Sequence, residues 1–163
     1  MKRTAVVLSV TLAVGLAVGL IKDQSLQAQQ TADMEKVKAA NQAFFDAFSA
    51  RDIKRMDQIW SHEPHVRAIH PASKEVLSGW EAVRKSWEEG FARQQFEQFS
   101  ASMKDAQVRV DQNVAWIVGA EQLQGRRVGG EAFTSTVLGT NVFEKQGGNW
   151  LMVHHHGSRP PAP

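Results

Sequence analysis

The sequence contains no cysteine. Disulfide bonds, thiolate nucleophiles, thiolate metal ligands and a lipid-modified cysteine are therefore excluded. A chain of 163 residues without disulfides must be stabilised by its hydrophobic core. The roughly 130 residues that follow the N-terminal segment suffice for one core, which would bury about two-thirds of the surface exposed by the unfolded chain.

Net charge is also lacking once residues 1–28 are set aside. The whole chain has 19 Lys and Arg against 17 Asp and Glu, but residues 29–163 carry 16 of each. The basic isoelectric point of about 9.1 therefore comes from the N-terminal segment. A nucleic-acid-binding protein needs a basic surface to contact phosphates. We predict no nucleic-acid partner.

The N-terminal segment has the pattern of a secretory signal. Two basic residues precede the apolar run 5–21, and a polar stretch with Ala28 at the expected cleavage position follows. We expect residues 1–28 to be removed and the protein to be periplasmic or secreted, without stable membrane association. The apolar run has 17 residues, near the shortest length that spans a bilayer, so an uncleaved anchor is an open alternative. A cytoplasmic protein with an unusual N-terminus is a third.

Three segments show the three- to four-residue spacing of amphipathic helices. The first starts at Asp33 and the second at Asp52, both suited to cap a helix. The third starts near Ser78, where Ser78 and Glu81 match the spacing of a capping box. The apolar stripes comprise Met34, Val37, Ala40, Phe44 and Phe48 in the first helix; Ile53, Met56, Ile59 and Trp60 in the second; and Trp80, Val83, Trp87 and Phe91 in the third.

The later part of the chain changes to the two-residue period of strands. A short strand is predicted at 65–70, and four longer ones at 95–110, 114–123, 131–145 and 149–157, separated by turn-forming residues. Helices followed by a meander indicate an α+β domain, spanning 29–158. Three helices should pack on the concave side of a strongly curved, mostly antiparallel sheet. The tail 159–163 is rich in proline and is predicted to be disordered.

Several short motifs in this order resemble the SnoaL-like branch of the nuclear transport factor 2-like superfamily. They are an aromatic pair in the first helix, an Arg-Asp start to a helix that ends in tryptophan, a His-Pro pair before a Gly-Trp helix start, and an Asn-Trp-Leu-Met-Val-His final strand. In this sequence they are Phe44-Phe45, Arg51-Asp52 with Trp60, His70-Pro71 with Gly79-Trp80, and residues 149–158.

The resemblance implies a conical half-barrel that dimerises through its open sheet face and has a ligand pocket between sheet and helices. Relatives include isomerases, cyclases, dehydratases and proteins without known activity, so the fold does not decide the function. Steroid-isomerase-like relatives use a tyrosine to stabilise an oxyanion. This chain contains no tyrosine, which argues against that mechanism.

Histidines are the main candidates for chemistry. His70 ends the short strand, and His154 and His156 share one face of the last strand, with His155 on the other. We predict that His70 and His156 line one cavity as an acid–base pair, with Trp87 in its wall. His154 and His156 are also spaced to meet one metal ion, with His62, His70 or Glu121 as a third ligand, but filling a polar cavity is the simpler reading. No metal or cofactor is assigned.

Other residues are candidates for the pocket wall. Tryptophans suit a flat apolar ligand as well as a plain core. A glutamate in a strand facing the cavity would have a raised pKa, as a catalytic acid requires. The opposite face, with Ala115 and Ile117 inward instead of Trp116, is equally compatible with the pattern. The predicted pocket residues are Trp60, Trp87, Trp116, Glu121, Asn141 and His154.

Three functions remain open from the sequence. The first is an exported homodimer that binds a small apolar or aromatic molecule. The second is a small lyase, isomerase or hydrolase that uses the histidine pair. The third is a dimeric interaction module. An inward cluster of histidine with a carboxylate would favour the enzyme, whereas a purely apolar lining would favour binding.

Overall fold

The computed structural model describes the backbone of residues 4–93 and 95–161, and the side chains of residues 24–93 and 95–161. The chain divides into two compact units, Met1–Glu35 and Lys36–Pro163. The start of the predicted signal and the last two residues of the predicted tail lie outside the described residues. Within the part that is described, no helix is both long and apolar enough to span a membrane.

Three helices and six strands make up the structure described. In chain order they are α1 (Thr4–Ala50), α2 (Ile53–Ile59), β1 (Arg67–Ile69), β2 (Leu77–Ser78), α3 (Trp80–Arg93), β3 (Phe96–Asp111), β4 (Val114–Arg127), β5 (Ala132–Gln146) and β6 (Asn149–Ser158). The strands form one sheet in the order β2-β1-β6-β5-β4-β3. The predicted α+β class, with three helices on a mostly antiparallel sheet, is confirmed.

The helix starts were predicted with mixed success. Asp52 caps α2 as expected, because its carboxylate accepts from the backbone N–H groups of Lys54 and Arg55. Asp33 does not begin a helix, since it lies inside α1. The predicted capping box is also wrong: α3 begins at Trp80, and Gly79, at φ 80°, takes the position before it.

The sheet has more strands than the sequence pattern indicated. The two-residue strand β2 was not predicted, and β1 lies parallel to β6, with Ala68 level with His155. This parallel pair places the end of β1, and His70 after it, beside the last strand. The long strands β3, β4 and β5 pair antiparallel, as predicted.

The core lies between the inner sheet face and the helices. Phe44 of α1 contacts Trp60, Trp87 of α3 and the ring of His155 on β6. The same inner face presents Ala115 and Ile117 from β4, which are both fully buried. The inner face of β4 is therefore the Ala115–Ile117 set.

A β-bulge in β6 decides which histidine enters the core. Met152 pairs with Phe143 and His154 pairs with Val142, so Val153 is an extra residue in β6. An extra residue reverses the alternation of side chains beyond it. Trp150 and Met152 are buried on one side of the bulge, and His155 is buried on the other.

Candidate functional site

A chain of buried amides and an imidazole crosses the interior from β6 to α1. The Asn141 amide nitrogen on β5 donates to the Asn41 side-chain oxygen on α1, 2.7 Å away. Asn141 Oδ1 is then left to accept, and it lies 2.7 Å from His155 Nδ1. The hydrogen of neutral His155 therefore sits on Nδ1, and its Nε2 keeps a free lone pair.

Glu121 on β4 brings a carboxyl group to the same cluster. Its side chain is only 3% exposed, and its Oε1 lies 3.8 Å from His155 Nδ1. A Cβ built on Gly139 of β5 would lie 2.7 Å from Glu121 Cδ, so the carboxyl group occupies the space that a side chain at 139 would fill. Glu121 Oε1 has no hydrogen-bond partner among the described residues.

His70 lies at the outer end of this cluster. Ser86 of α3 donates its hydroxyl hydrogen to the Val83 carbonyl at 2.8 Å, so its oxygen accepts from His70 Nε2 at 2.9 Å. The backbone N–H of His70 donates to the Ser73 hydroxyl. Neutral His70 is thereby the Nε2–H tautomer, with a free lone pair on Nδ1.

Aromatic rings surround the polar groups. The Trp87 ring centroid is 4.6 Å from that of His70 and 5.9 Å from that of His155, and the two histidine rings are 5.8 Å apart. Trp87 Nε1 is buried without a hydrogen-bond partner in the described structure. The cluster thus combines an apolar wall with two polar groups, at Trp87 and Glu121, that lack partners.

The burial of these groups makes all of them neutral near pH 7. Burial raises the pKa of Glu121 from 4.5 to about 8, and it lowers the pKa of His70 from 6.5 to about 4. Burial, together with the neighbouring His70, His154 and His156, lowers the pKa of His155 well below 6.5. Glu121 and His155 are therefore an acid beside a neutral base, and they do not form an ion pair despite their separation of 3.8 Å.

The prediction that His156 faces the interior is wrong. His156 is exposed, and His154 is half-buried on the same outer face, with its ring centroid 6.4 Å from that of His156. His155 takes the interior position because the bulge at Val153 reverses the alternation. The structure brings together His70 and His155 instead of His70 and His156.

The prediction that Trp116 lines the pocket is also wrong. It is 39% exposed on the outer face of the sheet, beside Val114 and Val118 on the same strand, and cannot line the interior. Glu121, Asn141 and Trp87 lie in the interior cluster. Trp60 is buried beside Phe44 and Trp80, and its Nε1 has no partner in the described structure.

Two concavities lie away from the histidines. One, of about 610 Å³, is lined by residues of α1, α2 and the β5–β6 turn, including Lys36 and Trp150. The other, of about 370 Å³, lies on the ends of β3, β4 and β5 and includes Phe99 and Phe133. No group of three or more ligating side chains suited to a metal ion occurs among the described residues.

The family is decided by a match over most of the domain. A family model described as a SnoaL-like domain matches residues 37–163. The chain belongs to the SnoaL-like family. The resemblance predicted from the sequence motifs is confirmed, and the SnoaL-like region coincides closely with the second compact unit.

Similar proteins are found both by sequence and by structure. The SnoaL-like chain is 34% identical over 120 residues to the F-box protein SKIP8 of Arabidopsis thaliana; the match covers 74% of this chain and 48% of that protein. The chain therefore spans about half the length of this curated relative.

Two solved structures share the nuclear transport factor 2-like fold with this chain. A candidate dehydratase of that family from Streptomyces avermitilis is 25% identical, with a TM-score of 0.73 over 82% of this chain and 99% of that one. A candidate calcium/calmodulin-dependent protein kinase type II association domain from Thiobacillus denitrificans is 30% identical, with a TM-score of 0.66 over 76% and 94%.

Three residues that build this cluster were not predicted. The alternation of side chains placed His155 on the opposite face from the acid–base pair, and the sequence pattern gave no role to Asn41 or Ser86. A polar residue inside an apolar helical stripe was the available signal for Asn41, since Val37, Asn41 and Phe44 share one face of α1 and are all buried. No sequence signal marked the bulge.

Proposed function

We propose that the protein binds a small, uncharged, largely apolar or aromatic molecule in the interior between sheet and helices. The supporting observation is the pair of buried polar groups without partners, Trp87 Nε1 and Glu121 Oε1. An unsatisfied buried polar group costs about 1–3 kcal/mol, so a ligand whose polar atoms pair with these groups would recover this energy. Because the surrounding groups are neutral, the ligand should carry no net charge.

A series of contacting aromatic rings connects the concavity at the strand ends with Trp87, and we infer that the ligand follows this path. From the concavity at the strand ends, Phe133 contacts Phe96, Phe96 contacts Phe99, Phe99 contacts Phe48, and Phe48 contacts Trp87, with ring centroids 5.0–5.3 Å apart. Aromatic side chains provide a continuous apolar surface for a flat molecule. The ligand would enter past these rings and reach His155 from the α3 side.

Binding can be tested with matched tryptophan variants. Thermal denaturation with a panel of neutral aromatic ketones, phenols and alcohols identifies a stabilising compound, and calorimetry then measures its affinity. Trp87→Phe removes one indole donor and should weaken binding by about 0.5–1.5 kcal/mol, whereas Trp116→Phe on the outer face should not change it. Equal affinities in the two variants would contradict this site.

A second candidate, which the inward cluster of histidines with a carboxyl group favours, is proton-transfer catalysis at the same site. Binding is proposed first because catalysis at this site also requires it. The specific observation is a protonated carboxyl group beside two neutral imidazoles, an acid and bases that coexist near pH 7. His155 Nε2 would take a proton from a carbon next to the ligand carbonyl, while Glu121 gives its proton to the carbonyl oxygen, forming an enol. The candidate dehydratase from Streptomyces avermitilis, at 25% identity, gives this alternative support.

Proton exchange separates catalysis from binding. In deuterated water, NMR should show exchange of the hydrogen next to the carbonyl of a bound ketone. Glu121→Gln keeps a hydrogen-bond donor but cannot give up a proton as an acid, so binding should persist while exchange slows by about 10²–10⁴-fold. If the natural chain binds the ketone but does not exchange its hydrogen, the binding function is supported and the catalytic function is excluded.

We also propose that two copies pair through the outer face of the sheet. Four exposed apolar side chains form the outer apolar patch: Val114, Trp116, Val118 and Leu138. Contiguous exposed apolar surface is typical of an interface. The similarity to a candidate kinase association domain supports assembly in general terms.

We also propose that the protein is exported. Residues 1–28 would direct the chain across a membrane and then be removed, leaving a periplasmic or secreted domain that begins near Gln29. Mass spectrometry of the protein from its native host would show this N-terminus. An intact Met1 on the mature protein would contradict cleavage.

A further inference from the structure

Two histidines lie outside the interior cluster and have no role in the proposed ligand site. His154 and His156 occupy alternate positions of β6 after the bulge, and both face outward. Their ring centroids are 6.4 Å apart at an interplanar angle of 61°. The parallel β1 and the antiparallel β5 flank them, so the strand that holds the pair is fixed on both sides.

The backbone of Arg67 holds one ring nitrogen of His154. His154 lies level with Val142 and Arg67 and forms a hydrogen bond with the Arg67 backbone. Burial and the neighbouring His156 lower the pKa of His154, and the bond to the Arg67 backbone opposes this effect because its acceptor is the carbonyl oxygen. The Arg67 guanidinium is directed to the Pro64 and Val66 carbonyls, at 2.8 and 2.7 Å. One nitrogen of His154 is thus held as a donor, and the other is an acceptor.

We propose that His154 and His156 chelate a divalent transition-metal ion, Zn²⁺ or Ni²⁺, on the outer face of the sheet. A zinc–nitrogen bond of about 2.0–2.1 Å with a tetrahedral angle at the ion places two imidazole centroids roughly 5 Å apart. The two centroids are 6.4 Å apart, so the rings must approach each other by roughly 1 Å to share an ion. Side-chain rotation of the exposed His156 provides this movement.

The chemistry of the pair fits this class of ion. Imidazole nitrogens suit zinc, nickel and copper, whereas magnesium and calcium require oxygen ligands. Histidine ligands commonly donate their second ring N–H to a backbone carbonyl, as His154 does to Arg67, which fixes the ring and its tautomer. With two protein ligands, the remaining coordination positions hold water or the same pair from a second copy.

Calorimetric titration of the purified chain with zinc chloride and nickel chloride tests the site. Removing a partner of a ligand alone typically costs 10–100-fold in affinity, so removing a ligand, as in His154→Ala or His156→Ala, should cost roughly tenfold or more. The matched control is His62→Ala with His65→Ala, which removes two exposed histidines elsewhere and should leave the affinity unchanged.

The outcomes separate this site from the other proposals. Unchanged affinity in His156→Ala, or a loss confined to the His62 and His65 control, would overturn the site. A stoichiometry of one ion per chain indicates water in the open positions, and one ion per two chains indicates completion by a second copy; both support chelation. His156 is exposed, so His156→Ala should keep the melting temperature of the natural chain and remain a valid test if His154→Ala unfolds.

Discussion

At the scale of single residues, three consecutive histidines have different environments. His155 donates to buried Asn141, whereas His156 projects into solvent from the other face of the same strand. The difference between them arises from backbone geometry, since the three side chains are chemically identical. Substitutions at neighbouring positions should therefore differ widely in their effect on stability.

His155→Ala should destabilise the fold by roughly 2–4 kcal/mol. The substitution removes a buried ring and leaves Asn141 Oδ1 without a donor, and each of these losses carries a cost. His156→Ala should change the free energy of unfolding by less than about 0.5 kcal/mol, since the side chain is exposed. Urea denaturation of both variants measures the difference, and similar losses in both would show that the bulge does not reverse the alternation.

The buried carboxyl group predicts an unusual dependence of stability on pH. Glu121 keeps its proton in the folded state up to about pH 8 but loses it near pH 4.5 in the unfolded state. Its contribution to the free energy of unfolding therefore falls as the pH rises from 4.5 to about 8. The pKa of His70 is lowered to about 4, so its contribution is lost as the pH falls from 6.5 to 4. Between pH 6.5 and 8, Glu121 is the one of these two groups whose ionisation changes the free energy of unfolding.

Stability of the natural chain should therefore decrease between pH 6.5 and 8. Glu121→Gln cannot ionise, and its stability should be nearly flat over the same interval. Denaturant titrations at several pH values compare the two chains. Parallel curves for the natural chain and the variant would show that Glu121 is ionised in the fold, which would contradict its role as a protonated acid.

At the scale of elements, the start of α3 depends on Gly79, which the capping-box spacing did not mark as the cap. Gly79 adopts φ 80°, a conformation that costs energy for residues with a side chain, and its N–H donates to the Val66 carbonyl. The Ser78–Glu81 spacing suggested Ser78 as the cap. Ser78 instead ends β2, and the helix begins one residue later than that cap would require.

Two glycines of this region give opposite predictions for the same substitution. Gly79→Ala should destabilise the fold by about 1 kcal/mol, because alanine is strained at positive φ. Gly90→Ala, inside α3 with open space around it, should stabilise by about 0.4–1 kcal/mol. Thermal melting of both variants provides the comparison. Stabilisation by Gly79→Ala would mean that the helix does not begin at a left-handed residue.

The elements were largely predictable, whereas the site depended on features that local patterns do not encode. The spacing of Trp80, Val83 and Trp87 indicated an amphipathic helix, and the two-residue period indicated the long strands. Placing His155 inside required the extra residue at Val153, and a bulge has no clear signature in a single sequence. The parallel pairing of β1 with β6, which brings His70 to His155, is a long-range contact that periodicity cannot supply.

At the scale of the whole molecule, the two faces of the sheet serve different proposed purposes. The inner face carries the neutral acid–base cluster, while the outer face carries the outer apolar patch and the histidine pair. Trp116→Glu would place a charge in a paired apolar face and should convert the proposed dimer to a monomer, as measured by light scattering. Val76→Glu, an exposed position in the loop before β2, is the matched control and should leave the mass unchanged.

The proposed ligand site is the interior cluster around His155, Glu121 and Trp87. The indole N–H signals of the five tryptophans, assigned by single Trp→Phe variants, report on different parts of the molecule in one NMR spectrum. On titration with a stabilising neutral aromatic ketone, the Trp87 signal should shift strongly as its unpartnered N–H gains an acceptor. The Trp116 and Trp150 signals should stay in place. A shift of Trp150 with no change at Trp87 would place the ligand in the concavity beside α2 and contradict the interior site.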